Sequence, residues 1–275
     1  MKSTLLFGLL ICSIAFNSCS KDRGINIFTV SQDMEFGNSL VQTIDADPTN
    51  YPVLDRSTNL KAYEYIEQMM ADILKSNEFK YGDRFEWEVF IIDKDVINAF
   101  AAPGGKMYFY TGLIKYLEDG ATMAGVMGHE MAHADLRHST QQMTKLYGLE
   151  FMLNAILGQD KSQMTQIASD LALGVVGLKF SKDNEYDADR YSMYYLATTG
   201  KRYDPKGITA FFTKMINAGS DSKTPEWLRT HPSDQNRIDA ANEIYNSDDK
   251  LKGLMGSKTY STNKEDFLAF QALFK

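Results

Sequence analysis

The sequence predicts an α+β fold, mainly helical with one small antiparallel sheet packed beside a histidine-bearing helix. Three observations carry that expectation. Apolar residues recur at helical spacing over most of the chain downstream of Arg56. Two short apolar stretches meet at Pro103-Gly104-Gly105, a pattern that reads as a hairpin. A preceding run, Phe85, Trp87, Val89 and Ile91, alternates as a half-buried strand does. A small sheet among many helices is an α+β pattern. With 275 residues, 44% of them hydrophobic, the chain can bury a full core.

In chain order, MKSTLLFGLLICSIAFNSC opens with one lysine, an apolar run from Leu5 to Phe16 and then small and polar residues. That is the layout of a secretory signal peptide, too short for a typical membrane span. Cys19 at the cleavage point resembles a bacterial lipobox, with Ser18 as the small residue before it and Phe16 where leucine is usual. Residues 1–18 are therefore expected to be a lipoprotein signal, with lipid on Cys19. Ordinary secretion with Cys19 as a stray thiol is the alternative. Of the two cysteines, Cys12 leaves with the signal and Cys19 carries lipid, so the mature protein has no disulfide. Residues 19–55 are polar with turn signals and read as a lipid-anchored tether, part of which can pack on the domain through Ile25, Ile27, Phe28 and Val30. Residues 56–275 form the main domain.

Within it, Leu60, Tyr63, Ile66, Met69, Met70, Ile73 and Leu74 recur at the spacing of an amphipathic helix up to about Ser76. The strand at 85–91 and the hairpin within Val96 to Ile114 follow. Helices then start near Leu113, Gly120, Thr140, Lys182, Lys206 and Pro232. Phe151 to Leu157 and Ile167 to Leu178 are apolar but shorter than a membrane span, and read as a cover or lid over the histidine helix. The net charge of −7, with no basic cluster, argues against nucleic acid as a partner.

The chemistry concentrates in GVMGHEMAHADLRHS, Gly125 to Ser139, which holds three of the four histidines. In a helix, His129 and His133 lie one turn apart on one face and aim at a common point, a two-point clamp for a metal ion. Glu130 lies roughly 100° further round, within reach of a water on that metal without binding it. H-E-x-x-H is a zinc metallopeptidase motif for that mechanical reason. Met123, Val126, Met127, Met131 and Ala134 make an apolar flank, so the helix is expected to be buried. Gly125, Gly128 and Ala132 form a stripe of small residues, which predicts a second backbone passing close by.

Catalytic zinc commonly takes three protein ligands and leaves a fourth position open. His138 points about 140° away from His133 if the helix is continuous, and reads as a surface residue or helix-end cap. Glu185 is the better third ligand, with Asp189 one turn beyond it on the same face. One carboxylate binds metal and the other accepts the N–H of a ligand histidine. Alternatively, Asp183, Glu185, Asp187 and Asp189 are a solvated acidic helix start.

HEMAH at 129–133, NEYDAD at 184–189, NAFAAPGG at 98–105 and THPSDQNRI at 230–238 resemble, in order and spacing, the HtpX-like and BepA-like gluzincin metallopeptidases, the family that also contains CAAX prenyl proteases. The similarity spans roughly Arg56 to Asn246. It implies a zincin-type domain in which His129, His133 and Glu185 bind Zn2+, Glu130 is the general base, and His231 helps stabilise the tetrahedral oxyanion. Asp189 supports a ligand histidine, Arg237 lies near the site, and Asn98, Ala99, Phe100 and Ala101 form the edge strand that takes substrate backbone.

The resemblance further implies a zinc endopeptidase of the bacterial cell envelope, lipid-anchored on the periplasmic face of the outer membrane or at the cell surface. Its substrates are unfolded or misassembled envelope proteins or peptides. The competing expectation is a lipid-anchored binding or chaperone-like protein with a latent or blocked zinc site. Glu130 discriminates between them, because a scaffold has no chemical need for that carboxylate.

Overall fold

A computed structural model describes residues 25–148, 167, 179–217, 225–232 and 235–274. The signal segment, Cys19 and nearly all of the expected lid from Phe151 to Leu178 lie outside the described residues. Ile167 alone of that lid is described, and it is buried against a cluster containing Phe28 and Met143.

The first helix, α1 (Val30–Asp45), lies inside the stretch expected to be a tether. Thr29 and Gln32 close a reciprocal capping box at its start, and Phe36, Leu40 and Ile44, each four residues apart, form its buried stripe. Any tether is thus confined to the residues before α1. This helix packs on the hairpin turn so closely that a Cβ at Gly37 would lie 2.1 Å from the Pro103 carbonyl oxygen.

α2 (Leu60–Leu74) buries Tyr63, Ile66, Met69, Met70 and Ile73, the residues whose periodicity predicts it. Three strands follow, β1 (Glu88–Ile92), β2 (Ala99–Ala102) and β3 (Lys106–Tyr110), in the spatial order β1-β3-β2. The hairpin pair is antiparallel, with Ala99 opposite Phe109. β1 pairs parallel with β3, Glu88 opposite Lys106, so the sheet is mixed rather than antiparallel throughout. The chain reverses between β1 and β2 and again at the hairpin, which brings the central β3 back into the direction of β1. Gly104 and Gly105, at φ 77° and 94°, supply the left-handed backbone that this second reversal requires.

One sheet face, with Tyr108, Tyr110 and Ala102, packs on α1. The other, with Val89, Ile91, Ala99, Met107 and Phe109, packs on the main helical body. That body contains α3 (Thr111–Tyr116), α4 (Gly120–Asp135), α5 (His138–Tyr147), α6 (Lys182–Ala197), α7 (Gly207–Asn217), α8 (Trp227–Thr230), α9 (Gln235–Ser247), α10 (Asp249–Met255) and α11 (Lys264–Gln271).

α4 carries HEMAH, and every one of its residues is buried. Asp119 caps it by accepting the Thr122 N–H at 2.8 Å. The small-residue stripe works as expected. A Cβ at Gly125 would lie 2.2 Å from the Ile208 nitrogen of α7, and one at Gly128 would lie 2.7 Å from Ser192 Oγ of α6. Two glycines therefore let α6 and α7 close on α4, which offsets their lower helix propensity of about 1 kcal/mol each. Among the described residues no helix is long and apolar enough to cross a membrane.

Candidate metal centre

α4 presents His129 and His133 one turn apart, and α6 presents Glu185 and Asp189 one turn apart. α6 starts at a capping box between Ser181 and Asn184, which places Glu185 in its first turn. His231 follows the single turn of α8, and Arg237 stands in the first turn of α9.

Four side chains converge: His129, His133, Glu185 and His231, all buried, with donor atoms within 4.8 Å of one another. His129 Nε2 lies 3.0 Å from His133 Nε2 and 3.3 Å from His231 Nδ1. Glu185 Oε1 lies 3.4 Å from His133 Nε2 and 3.1 Å from His231 Nδ1. Tetrahedral ligands about 2.0–2.1 Å from a zinc ion stand about 3.3 Å apart, so the set matches the spacing of metal ligands.

Charge gives a second test of fit. Glu130, Glu185 and Asp189 are 1, 2 and 1% exposed, and the guanidinium of Arg237, 2% exposed, is the cation among them. Arg237 pairs with both Glu185 and Asp189, so one guanidinium serves three buried carboxylates, and a dication would offset the remaining negative charge that burial disfavours.

Protonation states follow from the same burial. Burial pushes His129 well below the usual histidine range and His133 down to about 3, which leaves both imidazoles neutral, the form that ligates. Burial would raise Glu185, but His231 and Arg237 outweigh it and hold the carboxyl well below the usual range. Burial raises Glu130 against the opposing pull of His231 and the Trp227 indole. Burial works against protonating His231, yet the facing carboxylates of Glu130 and Glu185 raise its pKa.

An outer ring holds these groups. His129 Nδ1 lies 2.9 Å from Asp189 Oδ1, and Arg237 grips Asp189 with two hydrogen bonds, from Nε to Oδ2 at 2.7 Å and from Nη2 to Oδ1 at 2.8 Å. Arg237 also pairs with Glu185 and lies 4.1 Å from the Phe212 ring centroid. The Trp227 indole donates to Glu130 Oε1 at 3.1 Å.

A family model for peptidase family M48 matches residues 61–245. The chain belongs to this family. Within M48 it is similar to the mitochondrial metalloendopeptidase OMA1 of Arabidopsis thaliana, at 34% identity over 55% of this chain and 30% of that protein. The human mitochondrial metalloendopeptidase OMA1 is 27% identical over 64% of this chain and 36% of its own length. The beta-barrel assembly-enhancing protease of Escherichia coli (strain K12) is 29% identical over 78% of this chain and 44% of its own length. The chain thus spans less than half the length of these curated relatives. Membership in M48 and the buried His/Glu cluster together imply a bound metal.

The residues singled out in the sequence gather as one group: His129, Glu130, His133, Glu185, Asp189, His231 and Arg237. Asn98, Ala99, Phe100 and Ala101 lie at and beside the sheet edge formed by β2. His138 differs from expectation. It is neither on the surface nor a cap, being 3% exposed with Nδ1 2.9 Å from His133 Nδ1. The helix is not continuous: Arg137, at φ 60° and ψ 36°, turns the chain back between α4 and α5. Trp227 escaped sequence reading altogether. Its signal was the i,i+4 spacing to His231, on which it stacks at 4.5 Å and 14°.

Proposed function

We propose that the chain is a zinc endopeptidase of the bacterial envelope that cleaves extended or misfolded protein segments. The observation that carries this reading is Glu130: a buried carboxylate beside a complete donor set, held by Trp227 and not itself a member of that set. Two imidazoles and a carboxylate suit zinc among the common divalent ions. His129, His133 and Glu185 would hold the ion. When bound, zinc supplies the Lewis acidity that lets water attack a peptide carbonyl near neutral pH.

Glu130 would accept the proton of the attacking water and pass it to the leaving amine. Asp189 and Arg237 keep the His129 ring turned so that Nε2 faces the donor set. Residues 98–101 offer main-chain groups to an extended substrate, a mode that reads backbone more than side chains. The apolar N-terminal segment ending at Cys19 supports an envelope location and a lipid anchor, as does the similarity to a beta-barrel assembly-enhancing protease. Unfolded or misassembled envelope proteins are the substrates this reading assigns.

One group of contacts favours a latent form of the same site. His231 stands at the fourth corner of the donor set, its neighbour Trp227 covers Glu130, and the Trp227 backbone N–H donates to the Ile97 carbonyl at the start of the edge strand. The segment 227–231 therefore occupies metal corner, base and strand edge together, and catalysis requires it to yield. In this reading His231 closes the site at rest. The oxyanion role belongs to the opened state.

The test is metal content of the purified protein together with casein cleavage with and without a chelator. About one zinc per chain and chelator-sensitive cleavage restored by added zinc are expected. Cleavage that persists in the metal-free protein would overturn the reading.

A further inference from the structure

Each HEMAH histidine has one ring nitrogen in the donor set and one facing away from it. A neutral imidazole that ligates through Nε2 must carry its proton on Nδ1, so Nδ1 needs an acceptor. For His129 that acceptor is the Asp189 carboxylate, 2.9 Å away. For His133 the atom at that position is Nδ1 of another histidine, His138, also at 2.9 Å. We propose that His138 is a positioning residue for metal binding: its Nδ1 accepts the His133 Nδ1–H and holds His133 in the tautomer whose Nε2 lone pair faces the donor set. The proposal rests on reading that set as a metal site.

The opposite arrangement, in which His138 donates, would leave the proton of His133 on Nε2. That N–H would point toward His129 Nε2, 3.0 Å away, and no lone pair would remain for an ion. Binding through His133 therefore requires His138 to accept. Its own proton then sits on Nε2.

The local fold is arranged around this contact. Five residues on in a continuous helix, His138 would point about 140° away from His133. Arg137 prevents that by adopting the left-handed conformation, φ 60°, which is uncommon for a residue other than glycine. The conformation is held from outside the site. The Arg137 guanidinium pairs with Asp33 of α1, 1% exposed, donates to the Phe28 carbonyl, and lies 5.8 Å from the Tyr81 ring centroid. Phe180 stacks on the far side of the contact, 4.0 Å from the His133 ring at 26°. A left-handed turn, an ion pair on a buried carboxylate and a stacked ring thus converge on one hydrogen bond to His133.

The experiment compares His138→Asn with His138→Leu, two side chains of similar size. The Asn Oδ1 stands where Nδ1 stands in histidine and can accept, whereas Leu cannot. Zinc affinity is read by competition with a chromophoric chelator, and thermal midpoints of the metal-free proteins check that both variants fold. His138→Leu is expected to bind zinc about 10–100-fold more weakly than wild type, and His138→Asn within about threefold of it. In zinc-loaded wild type, NMR should show a through-hydrogen-bond coupling between the Nδ1 atoms of His133 and His138, a readout that needs no variant to fold. Wild-type affinity in His138→Leu, equal weakening in both variants, or absence of the coupling would each overturn the role of His138 while leaving the metal site standing. Failure of wild type to bind zinc would remove both.

Discussion

Three of the four clustered donors stand on 16-residue helices, whereas the fourth follows a helix of four residues. The difference separates what is fixed from what can move. His129, His133 and Glu185 are carried by α4 and α6, which touch closely enough that Ser192 Oγ donates to the Gly125 carbonyl at 2.9 Å. Displacing any of them would break apart the main apolar core. His231 follows a single turn, and its described anchors are the buried Trp227 ring and contacts to His129 and Glu185; the proposed latent form requires it to leave while the other three stay. The fold thus carries three donors on long packed helices and the fourth beside a single turn, the arrangement that the proposed three-ligand site with a separable fourth member requires.

The largest break in that comparison comes from the fixed side. His133→Ala should abolish stoichiometric zinc and all casein cleavage, read by metal analysis and a proteolysis assay, because only His129 and Glu185 then remain on the long helices and His231 must yield for catalysis. His231→Ala should retain zinc and raise cleavage severalfold, since the fourth corner and the Glu130 side of the site open together. Lower cleavage in the zinc-loaded variant would mean that the oxyanion role of His231 in the opened state outweighs its closing of the site at rest. Gly125→Val drives a side chain into the Ile208 backbone, 2.2 Å from its Cβ, and should cost about 1–3 kcal/mol of stability in denaturant melts. Smallest, Trp227→Phe keeps the stack on His231 but removes the indole donor to Glu130, and should change cleavage modestly with little loss of stability.

The rigid side of the comparison was the legible side. HEMAH and NEYDAD state their geometry through i,i+4 spacing alone, and the glycine stripe foretold the close approach of α6 and α7. The α2 stripe and the hairpin were readable for the same reason, since local periodicity and turn chemistry act within a few residues. What was missed depends on longer reach. α1 had a local signal, the Thr29–Gln32 capping box, but its place on the sheet is decided by tertiary packing against Pro103. The parallel β1–β3 pair leaves no mark in an alternating pattern, because alternation states which face is buried and not which neighbour pairs. His138 was misplaced because Arg137, held left-handed by Asp33 and Phe28, carries no glycine or proline to announce the break.

Glu130→Gln tests the central claim most directly, because it keeps size and hydrogen bonding while removing the base. Zinc content and the fold should match wild type, and hydrolysis of a peptide substrate should fall by at least about 100-fold. Binding of unfolded substrate along the β2 edge should survive, which makes the variant a trap. Near-wild-type turnover by the zinc-loaded variant would contradict the account.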